Sequence, residues 1–332
     1  MPSSSSERMY EGRQYKMNLT DLAGNFSDAD SAREFLEKQH WPNGAVCPHC
    51  GLEGESYRLE GKADSKTPVR KGVWKCKGCR KQFTVTVDTI FSDSHIPLHK
   101  WLMAIHLLCA SKKGMSAHQL HRMLGVTYKS AWFMAHRIRY AMKQEPLKRK
   151  LSGTIEMDET YVGGKRRKIG HRGRPNVSSH KSPVVALVQR NGRVISRHVE
   201  RVSSQNLKEI LFENVRKDAN IMTDDFSAYD FIKSRYPNHS VIKHSKEDYV
   251  RYEGQKKIHV NTAEGFFALL KRGIMGSFHH VSKKHLHRYL NEFDFRYNAR
   301  GIQDGERTLL AIKGVTGKRL TYREAKKRLI AS

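Results

Sequence analysis

Four of the chain's five cysteines form two Cys-x-x-Cys pairs, Cys47 with Cys50 and Cys76 with Cys79, and Cys50 and Cys76 lie 26 positions apart. Two thiolates on one tight turn can reach the same tetrahedral zinc ion, and two such turns close a four-sulfur site. Gly51 and Gly78 suit the tight backbone. One structural Zn²⁺ is expected there. With sulfur in every position, no chemistry is expected at it. The competing readings are disulfides, disfavoured in a reducing compartment, and a redox centre, which needs only one of the pairs. Cys109 stands alone in an apolar helix-like run and reads as a buried small hydrophobe.

The second set of chemically capable residues is acidic. Asp158 and Glu159 end the strand-like run "GTIEMDETYV", and a Gly pair and the cations Lys165, Arg166, Arg167 and Lys168 follow at once. Asp224, beside Asp225, follows the strand-like "ANIMT"; Glu264 lies on a later helical run, "NTAEGFFALLKRGIMG". If the two strands pair side by side, their ends bring both aspartates together. Glu264, laid against the same sheet edge, completes a cluster of three carboxylates. Such a cluster is costly unless cations neutralise it. Mg²⁺ or Mn²⁺, hard ions that favour oxygen, are the natural ones. Two ions about 4 Å apart can activate water or a hydroxyl and steady the leaving oxygen of a phosphodiester. The basic run 165–168, within a loop over 163–181, would then hold a phosphate backbone beside them. The plainer alternatives are a solvated charged loop and acids that serve only in surface ion pairs, with Glu156, Glu159 and Asp225 as close neighbours.

These residues need elements to carry them, and the pattern supplies candidates. Residues 27–39 read as a helix with Ser27 at its N-cap, and "VWKC" and "KQFTVTV" as short ribbon strands. Residues 98–144 read as helical, with breaks at Gly114 and Gly125 and with Ser116 and Thr127 opening the second and third helices. A helix, a short turn with Gly and a second helix resemble a helix-turn-helix. Tyr128, Lys129 and Ser130 would read bases, and Arg137 and Arg139 would contact phosphates. An ordinary helical hairpin is the alternative. From residue 151 the order is β-β-β-α-β-α-β-α, with a hairpin across Asn191-Gly192. Hairpins followed by crossover helices give a mixed α/β sheet flanked by helices.

The balance of 61 Lys and Arg against 33 Asp and Glu gives a net charge of +28. Such an excess points to a polyanionic partner, double-stranded DNA rather than an anionic membrane surface. No apolar run nears the roughly 20 residues of a spanning helix, and the N-terminus has no signal-peptide core. The compartment expected is the cytoplasm, at the nucleoid. The expected division is a loose tail over 1–25, a helix with zinc ribbon over 26–92, a helical DNA-binding domain over 93–150, a catalytic domain over 151–300 and a helical tail over 301–332.

"MDETYVGGK", "TDDFSAYD" and above all "HVNTAEGFFALLKRGIMGSFHHVSKKHLHRYLNEFDFRYNAR" resemble bacterial insertion-sequence DDE transposases of the ISXO-like group. "FLEKQHWPNGAVCPHCG" and "GMSAHQLHRMLGVTYKSAWFMAHRIR" are similar to that group's zinc-ribbon and helical parts, so the likeness covers roughly residues 26–330. The resemblance implies a ribonuclease-H-like catalytic domain with its triad at Asp158, Asp224 and Glu264. Lys271, seven positions after Glu264 and about two turns along one face, matches the family's basic residue near the scissile phosphate. His259 and Asn261 match the motif as supporting residues. Some members carry Asn where this chain has its third acid, and Asn261 lies one turn before Glu264. Glu264 is preferred for its charge and its spacing to Lys271. The implied function is binding of terminal inverted repeats, metal-dependent strand cleavage and transfer to target DNA, by a homodimer or higher multimer on DNA. The alternatives are a domesticated transposase and a zinc-ribbon regulator without chemistry. A metal-dependent nicking assay would separate the regulator from the transposase, and flanking inverted repeats would decide on domestication.

Overall fold

The structure, a computed structural model, describes residues 26–61, 69–143, 150–163, 181–243 and 250–322, with four positions before Phe26. The cations Lys165, Arg166, Arg167 and Lys168 and most of the 1–25 tail lie outside the described residues. The chain forms two compact units, Met1–Ala110 with Ile302–Arg319 and Ser111–Gly301 with Leu320–Ser332. The expected 93–150 segment is therefore divided between them, and part of the expected C-terminal tail belongs to the N-terminal unit.

In the first unit, helix α1 (Ala29–His40) is capped by Asp28, whose carboxylate accepts from the Asp30 and Ser31 N–H groups. The cap expected at Ser27 thus falls one residue later, where extended backbone aims an acceptor at the first turn. Strands β1 (Ser56–Arg58), β2 (Trp74–Cys76) and β3 (Gln82–Phe83) form an antiparallel ribbon. β1 has no readable periodicity at three residues. Helices α2 (Leu98–Ala110) and α8 (Asp304–Lys313) pack together. His106 Nδ1 meets Thr308 Oγ1 at 3.0 Å, and Arg307 Nη1 donates to the Cys109 carbonyl at 2.9 Å. Cys109 is fully buried, as expected.

In the second unit, α3 (Ala117–Leu124) and α4 (Tyr128–Ala141) form the expected turn. Ser116 accepts from the Gln119 N–H, Gly125 is left-handed at φ 58°, and Thr127 accepts from the Ser130 N–H. Each feature leaves the helix no continuation, or restarts it. Strands β4 (Thr154–Val162), β5 (Ser182–Gln189), β6 (Val194–His198), β7 (Asn220–Thr223) and β8 (His239–Val241) form one sheet in the order β6-β5-β4-β7-β8. β5 is antiparallel to β4 and β6; β4, β7 and β8 are mutually parallel. This is the mixed, ribonuclease-H-like sheet that the resemblance implied. Helix α5 (Ser204–Asn214) crosses from β6 to β7, and a 3-10 helix (Ser227–Ser234) follows β7. A hairpin of β9 (Arg251–Glu253) and β10 (Lys256–Ile258) turns at Gly254, φ 58°, and was not legible from the sequence pattern. Then come α6 (Asn261–Gly273) and α7 (Leu286–Asn298).

Strand periodicity assigns the two sheet faces. Ile155 and Met157 pack with Leu207 and Leu211 of α5 and with Tyr229 and Ile232. Val162, with Val184, Ala186 and Val188, packs against Ala263, Phe266, Phe267 and Leu270 of α6 and Leu290 and Phe293 of α7. Even-numbered β4 residues therefore face α6, and odd-numbered ones face α5.

Candidate active site

Parallel pairing of β4 and β7 ends with Glu156 opposite Met222. Asp158 follows two residues on, at the middle of β4 rather than at the end expected for it, and Asp224 stands just past the carboxyl end of β7. Asp158 lies on the α6 face, and Glu264 is in the first turn of α6. Burial first, then the charges of Glu159, Asp224 and Glu264, push the Asp158 carboxyl up to about 7 against a backbone bond from the Glu159 N–H. Asp224 and Glu264 thus both act on Asp158. Glu159 falls on the opposite face, where the Tyr229 hydroxyl donates to it, and burial raises its pKa too. Asp224 Oδ1 accepts from the Phe226 N–H at 3.2 Å, which fixes the turn after β7.

Among the described residues, the four cysteines form the one group of three or more candidate ligands whose atoms lie within 4.8 Å of each other. The carboxylates are more open than that. Asp158 and Asp224 are partly buried and Glu264 is exposed, and the repulsion felt at Asp158 is of the kind that a divalent cation relieves. Lys271 is exposed on α6. Asn261 opens that helix, exposed, and its N–H donates to His259 Nδ1 at 3.3 Å. Burial and Arg190 lower the His259 pKa, so the ring is neutral. Its 3.2 Å approach to Glu156 is then a polar contact rather than an ion pair.

Glu156 went unsingled in the sequence, although it precedes Asp158 by two and so shares its face. It is fully buried. Arg190 Nε donates to its Oε1 at 2.6 Å, and the Thr262 hydroxyl to the same oxygen at 2.8 Å. The N–H groups of Thr262 and Ala263 donate to its Oε2 at 2.7 and 3.0 Å.

In the other unit, Cys47 Sγ lies 3.6 Å from Cys79 Sγ, and Cys50 Sγ 3.6 Å from Cys76 Sγ. Tetrahedral Zn–S bonds of about 2.3 Å require sulfurs roughly 3.8 Å apart, so this cluster fits zinc. Trp41, Trp74 and Phe83 pack around it. After each pair the chain turns left-handed, at Gly51 (φ 76°) and at Arg80 (φ 58°). The second turn therefore uses Arg80 rather than Gly78. Gly78 instead keeps room for Leu52, whose Cδ2 lies 3.0 Å from where a Cβ would stand.

On α4 the first turn is open: Tyr128 and Lys129 are exposed, and the Tyr128 ring stacks on His118 at 4.2 Å. The Lys129 ammonium sits over the Tyr322 ring, and Ser130 Oγ is held by Thr127 Oγ1 at 2.9 Å. Arg137 and Arg139 depart from the expected phosphate contacts. Arg139 is 2% exposed and donates to buried Glu292 at 2.6 Å, while Arg296 holds the other Glu292 oxygen. Burial would raise the Glu292 pKa, but Arg296 and Arg139 outweigh it and lower it. Arg137 is 6% exposed, donates to the Leu320 carbonyl and lies over the Phe133 ring. Both guanidiniums are fastened inside the unit.

Residues 150–298 match the ISXO2-like transposase domain, and residues 27–82 match the transposase zinc-ribbon domain. The chain thus carries an ISXO2-like transposase domain and a transposase zinc ribbon, the two parts that its motifs resemble. The transposase domain spans the sheet, both aspartates and Glu264, and the zinc-ribbon domain spans Cys47, Cys50, Cys76 and Cys79 of the structural zinc site. The chain is also 27% identical over 284 residues to an uncharacterized protein in transposable element ISH50 of Halobacterium salinarum, across 80% of this chain and 89% of that protein. No helix among its described residues is long and apolar enough to cross a membrane.

Proposed function

We propose that this transposase binds the terminal inverted repeats of its own insertion sequence and catalyses metal-dependent strand cleavage and strand transfer. The observation that carries the reading is that Asp224, just past β7, and Glu264, on α6, both act by charge on Asp158 of the neighbouring parallel strand β4. Asp158, Asp224 and Glu264 hold divalent ions, Mg²⁺ or Mn²⁺. When bound, these ions supply an activated water or 3′-hydroxyl and stabilise charge on the leaving oxygen. Glu264 approaches from the α6 side, Asp158 from the α6 face of β4 and Asp224 from the turn after β7, and together they would hold the scissile phosphate. Lys271, two turns along α6, contacts a neighbouring phosphate. Tyr128 and Lys129, open on the first turn of α4, read bases of the repeat. Lys165 to Lys168 steady the backbone near the cut, and the net charge of +28 draws in DNA of any sequence. Paired ends call for a dimer or higher multimer.

The test uses DNA containing the inverted repeats that flank the gene. Wild-type protein shifts that DNA in preference to random DNA and, with Mg²⁺ or Mn²⁺, nicks it at the repeat boundary to leave a 3′-hydroxyl. Binding without any metal-dependent nicking would overturn the catalytic reading.

A further inference from the structure

Helix α6 begins without a cap of its own. Its N-cap position is Val260, which has no side chain able to take the first-turn N–H groups. Glu156 takes them from outside, across the sheet face, through the Thr262 and Ala263 N–H groups. Its negative charge also faces the positive end of the helix. Arg190, just beyond β5, closes the other side. Besides Glu156, its guanidinium donates to the carbonyls of Lys257 at 2.7 Å and His259 at 2.9 Å and meets Met222 Sδ at 2.9 Å. One pair of side chains therefore grips β4 two residues before Asp158, β7 two residues before Asp224, and α6 two residues before Glu264.

We infer that Glu156 and Arg190 are positioning residues of the acid cluster: they set the start of α6, and with it Glu264, against Asp158 and Asp224. The inference rests on reading those three acids as metal ligands. Glu156 is not a fourth ligand. It is fully buried, and its two oxygens already accept four bonds, the full capacity of a carboxylate. A glutamine there would turn an N–H₂ toward donors, and α6 would lose part of its anchor while the three acids themselves were left unsubstituted.

The experiment measures Mn²⁺ affinity of the full, zinc-loaded chain from the electron paramagnetic resonance signal of free Mn²⁺, alongside melting temperature and end-DNA binding. E156Q is expected to weaken Mn²⁺ binding about 10–100-fold, in the range found for partners that orient metal ligands. The Mn²⁺ needed for half-maximal cleavage should rise by the same factor, with end-DNA binding unchanged. R190K keeps the charge but loses the fork, and T262V removes one bond; both should shift affinity in the same direction by less. A folded E156Q with wild-type Mn²⁺ affinity overturns the proposal. Should E156Q not fold, wild-type affinity in both R190K and T262V overturns it. Absence of Mn²⁺ binding in the wild-type chain would strike the triad reading itself, which separates the two failures.

Discussion

Asp224 stands one residue beyond β7, the parallel neighbour of β4, which carries Asp158 at its middle. Strand β4 holds Asp158, whereas Asp224 is held by the turn after β7, which the Phe226 N–H closes on its carboxylate. Asp158→Asn and Asp224→Asn should each abolish cleavage and transfer while leaving end binding within about twofold, because on the proposed mechanism each removes a metal ligand. Glu264→Gln should do the same. Cleavage and gel-shift assays on the same DNA decide it. If Glu264→Gln still cut and Asn261→Ala did not, Asn261 would be the third ligand.

Metal binding should compete with a proton at Asp158. Its folded pKa, about 7, is raised from the ordinary 3.8. A raised carboxylate pKa contributes stability that is complete below the unfolded value and is lost as pH rises through the folded value. Without divalent ions, the protein should lose stability between about pH 4 and pH 7. Asp294, pushed by burial to about 7, adds to the same loss. Mn²⁺ should raise the melting temperature more at about pH 8 than at about pH 6, since it must displace fewer protons. In Asp158→Asn the Mn²⁺ increment should vanish and the Asp294 part should remain. An equal Mn²⁺ increment at both pH values would contradict the proton competition.

Cys47→Ser or Cys76→Ser should unfold the ribbon and release its zinc, because binding there is folding. Metal analysis of the wild type should find about one zinc per chain. Arg80→Gly should leave the zinc content unchanged and stability equal or higher by up to about 1 kcal/mol, since glycine accepts the left-handed turn without strain. Full zinc in either serine variant would refute the four-cysteine site.

Arg139→Ala should destabilise the protein by about 3–5 kcal/mol, because it strands part of the charge on buried Glu292. Its folded fraction should bind DNA with an unchanged salt slope. Lys129→Ala should cost about 1–3 kcal/mol on end DNA and little on random DNA if it reads a base. Urea unfolding and DNA titrations at several salt concentrations separate the two. A salt slope lowered by about one unit in Arg139→Ala would return that residue to the phosphate contacts.

Cysteine spacing, strand runs and helix caps were legible because each depends on neighbours within a few positions. The zinc knuckles, the caps at Ser116 and Thr127, the break at Gly125 and the mixed sheet all belong to that kind. Short elements were less legible. Three-residue β1, β9 and β10 hold too few positions to show a period, and the cap of α1 moved by one residue because Ser27 and Asp28 offer similar acceptors.

Charge was legible in total but not in placement. The excess of cations marks an anionic partner in the sequence alone, yet Arg137 and Arg139 look there no different from arginines that would meet DNA. Only the packing of α4 against α7 commits Arg139 to Glu292, 153 residues away. Likewise the pattern proposes Asp158, Asp224 and Glu264 as partners, but Glu156, two residues from Asp158, emerges as their anchor only once α6 is laid across the sheet. A buried charge acquires its role from the groups that replace its water, and those groups come from distant parts of the chain.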